Sequence, residues 1–145
     1  MSKKLYSSID EMFVLENLIT QGREYFDLRY SRAEDLAKLK GKRVGNNIKG
    51  EISEWCFVTL TDKRNDDADL TFLTGIKSGI TSTMTSDVVE YNPDRNLVFT
   101  KSGSIYYLSG EPAEVPLSAP RVAAIAAIMN QWGIGQMLGM PMAFF

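Results

Sequence analysis

The segment Thr85–Leu108, TSDVVEYNPDRNLVFTKSGSIYYL, constrains the fold more than any other stretch of the chain. Three short runs rich in Val, Phe, Ile and Tyr are separated by Asn92-Pro93-Asp94-Arg95-Asn96 and by Ser102-Gly103. β-Branched and aromatic side chains suit a pleated, half-buried surface, and Asn, Pro, Asp and Gly set turn dihedrals, so this segment predicts a β-meander. Around it lie 145 residues, 44% of them hydrophobic, which is the size of one domain spanning 1–145. A domain of that size buries about 70% of the surface its unfolded chain exposes, so a core forms without crosslinks.

Upstream, Ser8-Ile9-Asp10-Glu11 has the form of a capping box. It predicts a helix to about Gln21, stopped by Gly22, with Ile9, Met12, Phe13, Leu15 and Ile19 as the core-facing stripe. The same grammar at Ser31-Arg32-Ala33-Glu34 predicts a second helix over about 32–40, ended by Gly41, with Lys38, Lys40 and Lys42 at the negative end of its dipole. Between them, Glu24–Tyr30 fits strand or helix equally.

From Arg43 the pattern turns to β, with runs at Ile48–Ile52, Trp55–Leu60 and Leu70–Ile76 before the meander. The acidic loop from Asp62 to Asp69 leads to Leu70 where a calcium loop needs glycine, and no glutamate closes it, so it predicts a solvated turn. The hydroxyl-dense Lys77–Met84 suits either an edge strand or donors to a ligand's phosphate or ribose. Val122–Phe145 holds no charged residue over 24 positions, but Asn130, Gln131, Gln136, three glycines and Pro141 make it a poor bilayer helix. It predicts a helix capped by Ser118, with Ala123, Ala124, Ala126 and Ala127 on a close-approach face and surplus apolar surface for a subunit interface. The architecture expected is therefore α+β, with two N-terminal helices (1–41), an antiparallel sheet of about five strands (43–109) and a C-terminal apolar helix and tail (118–145).

Several function classes are excluded by composition. No histidine is present, which removes imidazole-based triads and the usual neutral-pH base. The single cysteine, Cys56, sits in the apolar run Trp55-Cys56-Phe57-Val58; it leaves no intrachain disulfide or ordinary zinc site and favours a reducing compartment. Net charge is −2, with ten basic and eight acidic residues in 1–51 and five and nine in 52–111. That distribution has no basic stripe for a nucleic-acid polymer, although one or two cations suffice for a small anion. Gly41-Lys42-Arg43-Val44-Gly45 lacks the order of a phosphate-binding P-loop. The N-terminus lacks the apolar run of a signal peptide, so a cytoplasmic location is expected, with no metal and no cofactor. Carboxylate chemistry is the remaining enzymatic route, with Glu51, Glu54, Asp87, Glu90 and Glu111 in the β region and Glu51 and Glu54 close to Trp55.

Reduced to Thr85-Ser86-x-Val88 followed by Thr100-x-Ser102-Gly103-Ser104-x-Tyr106-x-Leu108, the meander resembles the terminal hairpin of phage-encoded sponges that inhibit Thoeris immunity. The resemblance covers about 24 residues. It implies a non-enzymatic cytoplasmic oligomer, in the host cell if phage-encoded, that sequesters a cyclic ADP-ribose-type or cyclic oligonucleotide signal. It points to Ser86, Thr100, Ser102, Ser104 and Tyr106 as the ligand-binding residues, which contact the ligand or shape its pocket. Chemistry adds Arg43, Arg95 and Lys101 as cations for a pyrophosphate, and Trp55 and Phe57 as a stacking face for a base. The runner-up function is a protein inhibitor or assembly subunit that acts through residues 122–145, and the third is a carboxylate-dependent enzyme.

Overall fold

A computed structural model describes residues 13–66 and 68–142. It corrects the α+β expectation: the chain is a seven-stranded mixed sheet with three short helices among the described residues. The strands are β1 (Phe26–Tyr30), β2 (Ile48–Asp62), β3 (Ala68–Lys77), β4 (Thr81–Met84), β5 (Val88–Asn92), β6 (Leu97–Thr100) and β7 (Ile105–Leu108). The helices are α1 (Ala33–Ala37), α2 (Ala119–Gln131) and α3 (Ile134–Met137).

The first predicted helix falls partly outside the described residues, at 8–12; beyond these, only a 3-10 turn at Leu15–Asn17 forms. Its apolar side chains are buried all the same, Phe13, Leu15 and Ile19 among them. Helix is lost because tertiary partners take the backbone donors: the Thr20 and Gln21 amides both donate to the Leu138 carbonyl, at 2.9 and 3.0 Å. The second predicted helix shrinks to α1 for a similar reason. Tyr91 of β5 donates to the Leu39 carbonyl at 2.8 Å and accepts from the Gly41 amide at 2.9 Å, which draws residues 39–41 out as a parallel bridge. The ambiguous segment before it is a strand, with Phe26 and Leu28 pointing into the core and Asp27 and Arg29 pointing away.

The five-strand antiparallel arrangement also gives way, because β2 is a single strand of 15 residues that changes neighbour along its length. Its first part, Ile48–Ile52, pairs parallel with β7, and its last part, Val58–Asp62, pairs antiparallel with β1. Strand β3 runs along its other side. The change coincides with a bulge between Ser53 and Cys56, where Glu54 takes φ +47°. Strands β5, β6 and β7 pair antiparallel in sequence order.

Both faces of the sheet are packed. On one, Leu28, Val58, Leu60 and Phe72 meet Val122, Ile125 and Met129 of α2 together with Leu15, Leu18 and Leu138. On the other, Ile52, Phe57, Leu73, Val98 and Leu108 form a second core, capped by Leu36 and Leu39. Ile125, Met129, Leu138 and Met140 are therefore buried within this chain, and among the described residues the large exposed apolar side chains of the C-terminal region are Trp132, Met137 and Met142, with Phe144 and Phe145 outside the described residues. No helix among the described residues is long and apolar enough to cross a membrane.

Candidate functional site

Two hollows carry enough polar chemistry to be considered. The first, about 360 Å³, lies beside α1 where the inner face of the sheet changes from aliphatic to polar. Cross-strand register puts Arg29 opposite Thr59, Thr59 opposite Thr71, and Thr61 opposite both Asp27 and Asp69, all on one face. Arg29 donates to Asp35 through Nη2 at 2.8 Å and Nε at 3.3 Å, and its Nη1 donates to Thr61 at 2.6 Å and Asp27 at 3.2 Å. Asp35 also accepts the Arg32 amide at 2.8 Å, one residue along from the predicted capping pair. The predicted cap serine, Ser31, bonds Thr59 at 2.7 Å instead, and Thr59 bonds Thr71 at 2.9 Å.

Burial opposes ionisation of Asp35, but the Arg29 hydrogen bonds, the Arg32 amide and both guanidiniums outweigh it and hold its carboxyl below the usual range. Asp69 behaves alike: burial raises it, and hydrogen bonds from Thr61 and Lys38 bring it below the usual range. The walls carry four basic and four acidic side chains, namely Arg29, Arg32, Lys38 and Lys63 against Asp27, Glu34, Asp35 and Asp69. This hollow is electrically balanced and its buried groups are mutually satisfied, as expected of a pin that fastens α1 to the sheet. Asp62 and Asp69, the ends of the acidic loop, are likewise paired, with Arg64 and with Thr61 and Lys38.

The second hollow, about 390 Å³, gathers residues from four places: Lys49 of β2, Phe72 and Met84 of β3 and β4, Thr85–Asp87 between β4 and β5, and Ser102 and Tyr106 around the β6–β7 turn. Trp132, at the end of α2, completes its wall, with its ring 5.5 Å from that of Phe72. The link reaches this position because Thr85 ties it to β3: its amide donates to the Leu73 carbonyl at 2.9 Å, and its hydroxyl accepts the Leu73 amide at 3.2 Å. The turn is fixed by Thr100, whose buried hydroxyl accepts the Ser104 amide at 3.2 Å and donates to the Ser104 carbonyl at 3.3 Å. Gly103 closes that turn at φ +91°, which glycine adopts without strain.

The residues expected from sequence to bind a ligand divide accordingly. Ser86, Ser102 and Tyr106 line the second hollow. Thr100 and Ser104 lie behind it as turn structure, and Lys101 is exposed nearby, its amide donating to the Asp87 carbonyl at 2.9 Å. Arg43 and Arg95 are elsewhere. Arg43 stacks over Phe99 at 4.6 Å, with its amide on Glu90, and Arg95 is exposed in the β5–β6 turn, where its amide donates to Asn92. Trp55 and Phe57 are not beside the hollow: Trp55 Nε1 donates to the Gly110 carbonyl at 3.2 Å, and Phe57 packs in the inner core against Tyr91.

The hydroxyls differ from the expectation in what they offer. Ser86 donates to Ser102 at 3.1 Å, Ser102 and Thr100 share a hydrogen bond at 3.1 Å, and Thr100 also lies 3.3 Å from the Ser104 carbonyl. These hydroxyls bond to one another and to the turn backbone. The open donors are others: the amides of Ser86, Asp87 and Ser102, the Lys49 ammonium and the Trp132 indole have no acceptor among the described residues. Lys49 has no signal in the sequence, Asp87 reads there only as a candidate carboxylate and Trp132 only as apolar surface, because the three come from distant segments with no spacing to connect them.

Compared with protein-family models, with curated proteins and with solved structures, the chain matches none.

Proposed function

We propose that this protein is a non-catalytic binder of a small, nucleotide-derived anion, held in the hollow between the β4–β5 link, the β6–β7 turn and Trp132. The observation that carries this reading is that four residues lining the hollow keep donors without a partner among the described residues, the Ser86, Asp87 and Ser102 amides and the Lys49 ammonium, beside Trp132, which is 44% exposed. Backbone amides with one ammonium suit a phosphate, and a half-exposed indole suits a base, whose stacking is worth about 1–3 kcal/mol. A volume near 390 Å³ falls in the range of about 300–1,000 Å³ typical of small-molecule sites. Catalysis is the weaker reading, since of the candidate carboxylates Asp87 alone lines this hollow, with no second carboxylate beside it, and Glu51 and Glu54 are exposed elsewhere. With the hairpin resemblance added, binding without turnover amounts to sequestration of a cyclic nucleotide signal, the role of a phage anti-defence sponge.

The test is to incubate purified protein with cyclic ADP-ribose isomers, cyclic di- and trinucleotides and 5′-mononucleotides, wash it, denature it by heat and analyse the released material by mass spectrometry. Intact nucleotide is expected. Converted nucleotide would replace the binder with an enzyme, and no depletion of any ligand would end the nucleotide reading and turn attention to protein partners of Trp132, Met137 and Met142.

A further inference from the structure

Asp87 does not suit a hollow that holds only an anion. It lines the wall and is half-buried, and its carboxylate has no hydrogen bond or ion pair among the described residues. Beside a bare phosphate such a group is repulsive, and it lowers affinity unless the ligand brings hydrogen-bond donors of its own. No described group of the protein donates to it: the Ser86 hydroxyl donates to Ser102, the Thr85 hydroxyl donates to the Ser86 carbonyl at 2.7 Å, and the Lys49 ammonium in the same wall makes no ion pair with it. Lys101, next in space along the backbone pairing, reaches Asp87 through its amide and the Asp87 carbonyl, leaving the carboxylate open. The required ligand is anionic at one end, aromatic at another, and rich in hydroxyl donors between them. A ribonucleotide has that order of groups, whereas its 2′-deoxy counterpart lacks one of the two adjacent donors.

Resting on the nucleotide reading above, we propose that the hollow selects ribose over 2′-deoxyribose, with Asp87 accepting hydrogen bonds from the vicinal sugar hydroxyls. Lys49 and the amides of Ser86, Asp87 and Ser102 hold the phosphate, and Trp132 holds the base. An ionised acceptor makes the stronger class of hydrogen bond, and a buried group left unpaired by the deoxy sugar adds to the difference.

The test is isothermal titration of the full chain with AMP, 2′-deoxy-AMP, GMP and 2′-deoxy-GMP. Each ribonucleotide should bind about tenfold or more tightly than its deoxy partner, the loss expected for one charge-assisted hydrogen bond. Asp87→Asn should bring that ratio to within about threefold, and Lys49→Ala should weaken both sugars alike without changing it. Thermal melts of both variants control for folding, because neither side chain makes a hydrogen bond or ion pair to the described protein. Equal binding of ribose and deoxyribose forms by the native chain would overturn the sugar assignment and leave the nucleotide reading standing. Tight binding of both guanine forms and neither adenine form would move Asp87 to the base edge and overturn it too. No binding of any of the four would overturn the sugar assignment, and it would overturn the nucleotide reading as well if heating releases no cyclic nucleotide from the incubated protein.

Discussion

Arg29 and Asp35 show how little of a buried polar cluster has to face solvent to be organised by it. Their side chains are 16% and 3% exposed, and each is the other's main partner. Removing Asp35 leaves Arg29 with Asp27 and Asp69 but takes away its two hydrogen bonds to Asp35 and the acceptor of the Arg32 amide, so Asp35→Ala should cost about 2 kcal/mol in urea unfolding at neutral pH. Because the folded Asp35 pKa lies below its unfolded value of about 3.9, its contribution is complete above that pH and is lost as pH falls through the folded value. Unfolding midpoints measured from about pH 6 down to about pH 2.5 should therefore fall less steeply for Asp35→Asn than for the native chain. Cys56 makes the opposite case: burial pushes its thiol up to about 11, so it stays protonated. Labelling by a thiol reagent at pH 8 should proceed no faster than unfolding; rapid labelling of the native protein would contradict the packing described. Cys56 was legible in the sequence as a small buried hydrophobe, from its apolar neighbours. Thr100 and Ser102 were legible as hydroxyls but not in their roles, since only the fold shows which groups each of them bonds.

Strand β2 sets the organisation at the element scale. Its alternation is readable in the sequence as two runs, Ile48–Ile52 and Trp55–Leu60, and the break between them reads as a loop. It is instead a bulge opposite Gly75, where an added Cβ would meet the Ile52 side chain and lie 2.8 Å from the Ser53 carbonyl oxygen. Gly75→Ala should therefore destabilise the protein by about 1–3 kcal/mol, as overpacking against backbone does, and the urea midpoint measures it. An unchanged midpoint would mean that the bulge relaxes freely. The meander was legible because its pairings are local and its turns carry Asn, Pro, Asp and Gly. The parallel pairing of β2 with β7 was not, since it joins residues more than fifty positions apart and no local pattern encodes it. The two N-terminal helices were misread for a related reason: capping grammar reports local preference, and Leu138 and Tyr91 supplied stronger backbone partners from elsewhere.

At the scale of the whole molecule, one sheet is covered on both sides, and α2 forms part of the cover of one face. Deleting residues 119–145 would expose Val58, Leu60 and Phe72, so the shortened chain should lose its cooperative thermal transition. A chain that melted normally without them would instead make this region an appendage for assembly. The apolar content of the segment was legible in the sequence, and the sheet face that takes up most of its described apolar side chains was not. The hollow proposed to bind nucleotide was legible only in part, through Ser86, Ser102 and Tyr106, which belong to one local meander. Its remaining wall is a product of topology. The most direct test of that site uses the two tryptophans as internal reporters: Trp132 lines the hollow, and Trp55 is tied to Gly110 outside it. In a ¹⁵N–¹H spectrum titrated with the nucleotide released by heat, the Trp132 indole and the Ser86, Asp87 and Ser102 amides should shift together while the Trp55 indole stays in place. Shifts confined to Trp55, or to the Arg29–Asp35 cluster, would contradict the assignment of the site.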